Sequence, residues 1–158
     1  MKICDFLCSK AVCVDLKSET KEDIILELID LLIKAGAVDR RKKKKIFEVL
    51  MAREALGSTA IGQGIAIPHG KCDCIKKMVC CFGVSKKGID FDSLDGEAAY
   101  IFFLLVAPVD SAGPHLKALA KISRLLKDKF VRESLKGAED EKMALKIIQH
   151  EDERISKL

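Results

Sequence analysis

Residues 98–107 read AAYIFFLLVA, ten positions without a charge. A strand with one wet face alternates apolar and polar side chains, and this run does not. It therefore reads as a strand covered on both faces. It is too short to be a membrane-spanning helix, which needs about 20 apolar residues. Pro108 ends the run and Asp95-Gly96 gives a turn signal before it. Upstream, residues 78–85 (MVCCFGVS) form a second unbroken apolar run. Two such strands need a layer on each side. The predicted class is α/β: a single domain with a mixed central β-sheet flanked by α-helices on both faces.

The flanking segments supply those helices. Ser111 or Gly113 caps a helix with Pro114 in its first turn. Residues 115–130 (HLKALAKISRLLKDKF) continue it, with Leu116, Leu119, Ile122 and Leu126 spaced for a buried stripe. A last helix starts near Asp140 and carries Met143, Leu145, Ile147 and Ile148. On the N-terminal side, residues 11–16 (AVCVDL) read as a short strand. Thr20 is a good N-cap, with Asp23 three residues on. The helix behind it presents Ile24, Ile25, Leu28, Leu31 and Leu32, and Gly36 stops it. Asp39 then caps a second helix running to about Ala55, with Ile46, Val49 and Leu50 on its apolar face. Residues 57–70 (GSTAIGQGIAIPHG) are turn-rich and hold at most a short strand, Ile65–Ile67. No repeat or linker divides the chain, so one domain over residues 1–158 is expected.

Composition excludes several function classes. With 49% hydrophobic and 33% charged residues among 158, the chain is globular and not disordered. Lys and Arg number 28 against 24 Asp and Glu, and a net charge of +4 does not point to nucleic acid. The basic run Arg40–Lys45 has no interleaved aromatics and reads as a solvated helix face. The N-terminus MKICDFLCSKAV does not resemble a signal peptide, and no segment is built for membrane insertion, so a soluble cytoplasmic protein is expected. The seven cysteines include no C-x-x-C and no metal-binding block. Cys80 and Cys81 fall in an apolar run and read as core residues. Cys72-Asp73-Cys74 reads as a reduced surface loop, with free thiols throughout in a reducing compartment.

The candidate chemistry lies in Ile65-Ala66-Ile67-Pro68-His69-Gly70. A short apolar strand delivers a His to its end, where α/β folds present ligands. Gly62 and Gly64 let backbone pass close to something. The spacing is not a P-loop, because five residues separate Gly64 from Gly70 and Cys follows Lys71. His115 follows Pro114 in the first turn of a helix, where free N–H groups favour anions and neutral imidazole. Arg53 ends a helix just before the Gly-rich segment, and its fork suits an oxyanion. Ser58 and Thr59 offer hydroxyls to an anion or cap a turn. Glu54 reads as solvated, and His150 carries little weight.

The stretch from Arg53 to Gly70, REALGSTAIGQGIAIPHG, resembles the phosphorylation-site motif of EIIA domains of the mannitol/fructose class in the bacterial phosphoenolpyruvate-dependent sugar phosphotransferase system. Residues 113–120 (GPHLKALA) resemble the second histidine helix of that family, and the likeness spans essentially the whole chain. The resemblance implies a phosphotransferase component in which His69 accepts a phosphoryl group from the phosphohistidine of the carrier HPr. His115 and Arg53 would stabilise that group. The onward partner would be an EIIB-type domain or, in the nitrogen-type branch, a regulatory target protein. The stretch GSTAIGQGIAIPHGK and the absence of an attached EIIB or permease segment favour the nitrogen-type branch. The alternative is the EIIA component of a fructose/mannitol-type uptake system. No cofactor and no metal is expected. Ala60 departs from the family, which often has Gly there. If that position needs positive φ, the side chain costs on the order of 1 kcal/mol.

Overall fold

The computed structural model describes residues 1–158. Strand β1 spans Leu7–Cys13, helix α1 Lys21–Lys34 and helix α2 Lys43–Ala55. The Gly-rich segment holds three short strands, β2 (Ala60–Gly62), β3 (Ile65–Ala66) and β4 (His69–Lys71). The long strands β5 (Val79–Ile89) and β6 (Ala99–Ala107) follow. Helices α3 (Ala112–Leu125), α4 (Lys129–Lys136) and α5 (Glu141–Ser156) complete the chain.

The sheet has the order β1-β5-β6-β3-β2, with β4 also paired to β6. β5 and β6 run antiparallel, Val79 opposite Val106 and Val84 opposite Ile101. β1 is parallel to β5, β3 and β4 are parallel to β6, and β2 is antiparallel to β3. The sheet is thus mixed, as the sequence predicts. β3 and β4 share one register on β6: Ile65 faces Ile101 and His69 faces Leu105. Pro68 between them has no N–H to give, but its carbonyl accepts the Leu105 N–H at 2.9 Å. The chain therefore reaches His69 without losing step with β6.

Alternate residues of β6 fill two separate cores. Ile101, Phe103 and Leu105 point to one side with Phe82, where α3, α4 and α5 contribute Ile122, Leu125, Leu135 and Ile148. Phe102, Leu104 and Val106 point to the other, against Ile24, Leu28 and Leu32 of α1 and Ile46 and Leu50 of α2. All of these are almost completely buried. Each large side chain removed from water this way contributes roughly 1.5–3 kcal/mol before entropy is counted. The N-terminus is tied to α5 by the buried Asp152 carboxylate, which accepts the Ile3 and Cys4 N–H groups at 3.0 Å each.

Several boundaries differ from the sequence reading. The first strand is Leu7–Cys13, not residues 11–16, because Val14 leaves the ladder to donate its N–H to Glu141 at 2.9 Å. Asp39 caps a 3-10 turn, Arg40–Lys42, which leads into α2. The helix predicted over residues 115–130 breaks after Leu125, and Asp128 starts a new one by accepting the Phe130 N–H at 2.8 Å. In α3 the face toward the sheet is His115, Ala118, Ile122 and Leu125, so Leu116 is 67% exposed and not part of a buried stripe. The basic run is solvated as expected, with Arg41 on Asp39, Lys43 on Asp30 and Lys45 on Asp73. The cysteine reading is corrected. Cys72 is buried, not on the surface, and it is joined to Cys74 as a disulfide, while the other five cysteines are free.

Helix α2 presses directly on β4. A Cβ added at Gly70 would sit 2.8 Å from Cγ1 of Val49, closer than packed atoms tolerate. Gly70→Ala is expected to destabilise the protein by about 1–2 kcal/mol in urea unfolding. Adding Val49→Ala should recover part of that loss. Equal stabilities of the wild type and Gly70→Ala would show that the helix does not constrain the strand.

Candidate active site

His69 opens β4 with its imidazole half-buried. Its Nδ1 lies 2.7 Å from the Ile67 carbonyl oxygen. A carbonyl only accepts, so Nδ1 carries the proton and Nε2 keeps its lone pair. Burial lowers the pKa of His69 and the Arg53 guanidinium adds to the effect, while the bond to Ile67 opposes it. The ring is therefore neutral and nucleophilic over a wider pH range than an exposed histidine.

His115 stands in the first turn of α3, where its backbone N–H bonds to Ser111. Its ring centroid is 5.5 Å from that of His69, the planes inclined by 52°. The side chain is only 5% exposed and its Nδ1 has no hydrogen-bond partner. A buried polar atom without a partner in the protein costs on the order of 1–3 kcal/mol. Burial, then the neighbouring His69 and Lys71, push its pKa down to about 4. Arg53 ends α2 on the same side, and its Nη1 donates to the Gly57 carbonyl at 2.8 Å. That is its one bond within the protein, so the rest of the fork is open to an anion.

Ser58 and Thr59 are placed beside Arg53 but their hydroxyls are engaged. Ser58 Oγ donates to the Phe91 carbonyl at 2.6 Å and accepts the Ala60 N–H at 3.0 Å. Thr59 Oγ1 bonds to Glu54, which also accepts the Thr59 N–H at 3.1 Å. Glu54 is thus buried and not solvated, and its remaining partner is Lys21 Nζ at 2.9 Å. Lys21 in turn lies over the Phe91 ring, 4.7 Å from its centroid. This network is the part of the site that sequence reasoning missed. Its members come from α1, α2 and the turn before β6, and no local pattern joins them.

The two glycines expected near a ligand serve the turn itself. Gly62 and Gly64 have φ of 99° and 79°, and Gln63 between them has φ of 59°. The close approach is to Asp95, which accepts the Gln63 N–H at 2.9 Å, and to the Tyr100 ring. Ala60 does not have positive φ, so the strain allowed for at that position does not arise. His150 is exposed on α5, lining a hollow with Phe130 that is separate from this site. No group of three or more His, Cys, Asp or Glu side chains is arranged to hold a metal ion.

A neutral histidine with a free Nε2, a second histidine at a helix N-terminus and an arginine form a site for a nucleophile acting on an anion. The family model described as phosphoenolpyruvate-dependent sugar phosphotransferase system, EIIA 2, matches residues 5–151. The chain belongs to this family, whose domains are phosphotransferase components that carry a phosphohistidine. It is 39% identical over 140 residues to a nitrogen regulatory protein of Bradyrhizobium diazoefficiens, covering 89% of this chain and 90% of that protein. It is 38% identical over 152 residues to the fructose-specific EIIABC component of Bacillus subtilis, covering 96% of this chain but only 24% of that longer protein. The crystal structure of the nitrogen regulatory protein IIA-Ntr from Neisseria meningitidis superposes with a TM-score of 0.82 at 30% identity, over 91% of this chain and 97% of that one.

The depressed histidine has a consequence for stability. His115 takes up its proton near pH 4 in the folded chain and near 6.5 when unfolded. Between these values only the unfolded chain binds the proton, so stability falls as the pH drops through that window. Urea unfolding at pH 7 and pH 5 should show a loss, and His115→Gln should remove roughly 2 kcal/mol of it. An identical loss in the variant would contradict the burial of a neutral imidazole at this position.

Proposed function

We propose that His69 Nε2 is the phosphoacceptor, that His115 and Arg53 stabilise the transferring group, and that the protein is a nitrogen-type EIIA phosphocarrier fed by an HPr-type protein. The observation that carries this reading is the 2.7 Å contact that fixes the His69 tautomer and leaves Nε2 free. In the transfer, the Nε2 lone pair attacks phosphorus while the phosphorus–nitrogen bond to the carrier's histidine breaks. The departing imidazole keeps that electron pair, and the proton stays on His69 Nδ1, donated to the Ile67 carbonyl. The phosphoryl oxygens share the developing charge, so rate depends on position and electrostatics. His115, seated at a helix N-terminus, and the open side of Arg53 supply both without a metal or other cofactor. Ser58 and Thr59 act by shaping the loop that holds Arg53, since their hydroxyls are bonded internally.

A carrier protein needs a surface to dock on. Leu56, three residues after Arg53, is 85% exposed, and Leu116, next to His115, is 67% exposed. These apolar side chains beside the site suit a protein partner, and a net charge of only +4 does not point to nucleic acid. The pathway belongs to the cytoplasm, and no helix of the protein is long and apolar enough to cross a membrane. The nitrogen-type assignment is supported by the nitrogen regulatory relative that matches nearly end to end. The similarity to a fructose-specific EIIABC component favours a second reading, in which the phosphoryl group passes to an EIIB domain and then to a sugar.

Incubation with phosphoenolpyruvate, Enzyme I and HPr tests the assignment. His69→Ala should take up no label. His115→Ala and Arg53→Ala should be slowed by on the order of 10²-fold, the effect of losing one preorganised donor to a charged transition state. Normal labelling of His69→Ala would overturn the reading. Onward transfer to an EIIB domain and a sugar would favour uptake, and a stable phosphoprotein that changes its protein partners would favour regulation.

A further inference from the structure

Immediately after β4 the chain closes a second, smaller chemical site. Cys72 is bonded through sulfur to Cys74 across one residue, Asp73, with the Cα atoms 5.2 Å apart. That separation lies within the usual disulfide range. The two sulfurs are not equivalent. Cys72 is 1% exposed and lies in the core beneath α1 and α2, whereas Cys74 is partly exposed. The Cys74 N–H points at Cys72 Sγ from 3.4 Å. Lys71, Lys76 and Lys77 flank the pair and are exposed. Cys80 and Cys81, by contrast, are fully buried with thiols pushed far up by burial, and behave as inert core.

The pair is also tied to the phosphoryl site. Cys72 N–H donates to the Ala107 carbonyl at 2.9 Å, adding one rung to the β4–β6 ladder that positions His69. Asp73, inside the ring, is bound to Lys45 of α2 at 2.5 Å. The same helix presses on Gly70 through Val49 and ends in Arg53. The ring thus sets the position of Asp73, whose ion pair with Lys45 reaches α2 at the end away from Arg53.

We propose that Cys72 and Cys74 form a thiol–disulfide exchange site for a small anionic thiol of the glutathione class, and that the closed ring keeps His69 poised for phosphoryl transfer. A thiolate attacks Cys74 Sγ, the exposed sulfur, and the S–S electron pair leaves with Cys72 Sγ. The Cys74 N–H stabilises that thiolate until it takes a proton. A second thiol attacks the mixed disulfide at its own kind of sulfur and releases the Cys74 thiol. Two external thiols become one external disulfide and the protein gains two thiols; closure is the reverse. Disulfides in reducing compartments are typically transient and redox-responsive, which suits a ring open to solvent on one side.

The coupling to His69 rests on the phosphocarrier reading, and the exchange site does not. The protein is equilibrated with either glutathione disulfide or excess glutathione, quenched, denatured, alkylated and weighed. Peptide mapping should find Cys72 and Cys74 joined and unlabelled in the first case and both labelled in the second. Phosphorylation by phospho-HPr should be roughly fivefold slower in the open form, the low end of common site-to-site coupling. Cys74→Ser should match the open form in rate and be insensitive to glutathione. Labelled Cys72 and Cys74 under glutathione disulfide, or a glutathione adduct in place of the ring, would overturn the exchange site. Equal rates for the two forms would overturn the coupling. If His69 takes up no label in either state, the phosphocarrier reading and the coupling both fall, while the mapped state of Cys72 and Cys74 still decides the exchange site.

Discussion

The bond from His69 Nδ1 to the Ile67 carbonyl sets the chemistry of the molecule, and most of the fold is arranged around it. It spans only two residues, so it depends on the backbone between them holding one shape. Pro68 fixes its own φ, and its carbonyl is held by Leu105. β6, buried on both faces, keeps β3 and β4 in one register on either side. The imidazole is thereby presented with one nitrogen protonated and the other bare. Moving the proton to Nε2 would remove the bond and leave the Nδ1 lone pair against a carbonyl.

Burial lowers the pKa of both histidines, and each also faces positive charge, Arg53 for His69 and Lys71 for His115. Neutral rings lie next to a helix N-terminus and a guanidinium, which favours an anion, while the Ile67 bond and the Glu54 charge oppose the lowering at His69. The acid closest in sequence, Glu54, is turned away into the network of Thr59 and Lys21. Its charge is compensated there, and the same bonds stiffen the loop after α2 whose Gly57 carbonyl holds Arg53.

Much of this was legible in the sequence. The unbroken apolar runs gave the two central strands and the two helical layers, because a two-sided sheet leaves no polar face to read. Thr20 was legible as a cap, since an N-cap acts over three residues, and Asp140 as the start of the last helix. The ends of elements marked His69, His115 and Arg53 as candidates, and the structure brings the two histidine rings to 5.5 Å of each other. What was not legible depended on distant partners. Glu54 looked like a helix-end acid until Lys21 and Thr59 were brought to it. The break before α4 was hidden in a continuous helical pattern, and only the Asp128 cap reveals it. Leu116 was placed in the buried stripe because the pattern fixes the period of a helix but not which face meets the sheet. The Cys72–Cys74 ring was missed because spacing rules for metal and redox motifs do not describe a pair one residue apart.

The most direct test of the account is nitrogen-detected NMR of the His69 ring before and after treatment with phospho-HPr. The account predicts a neutral ring protonated at Nδ1 and, after transfer, a phosphoryl group on Nε2 with the Nδ1 proton still in place. A ring protonated at Nε2, or a phosphoryl group on Nδ1, would contradict it.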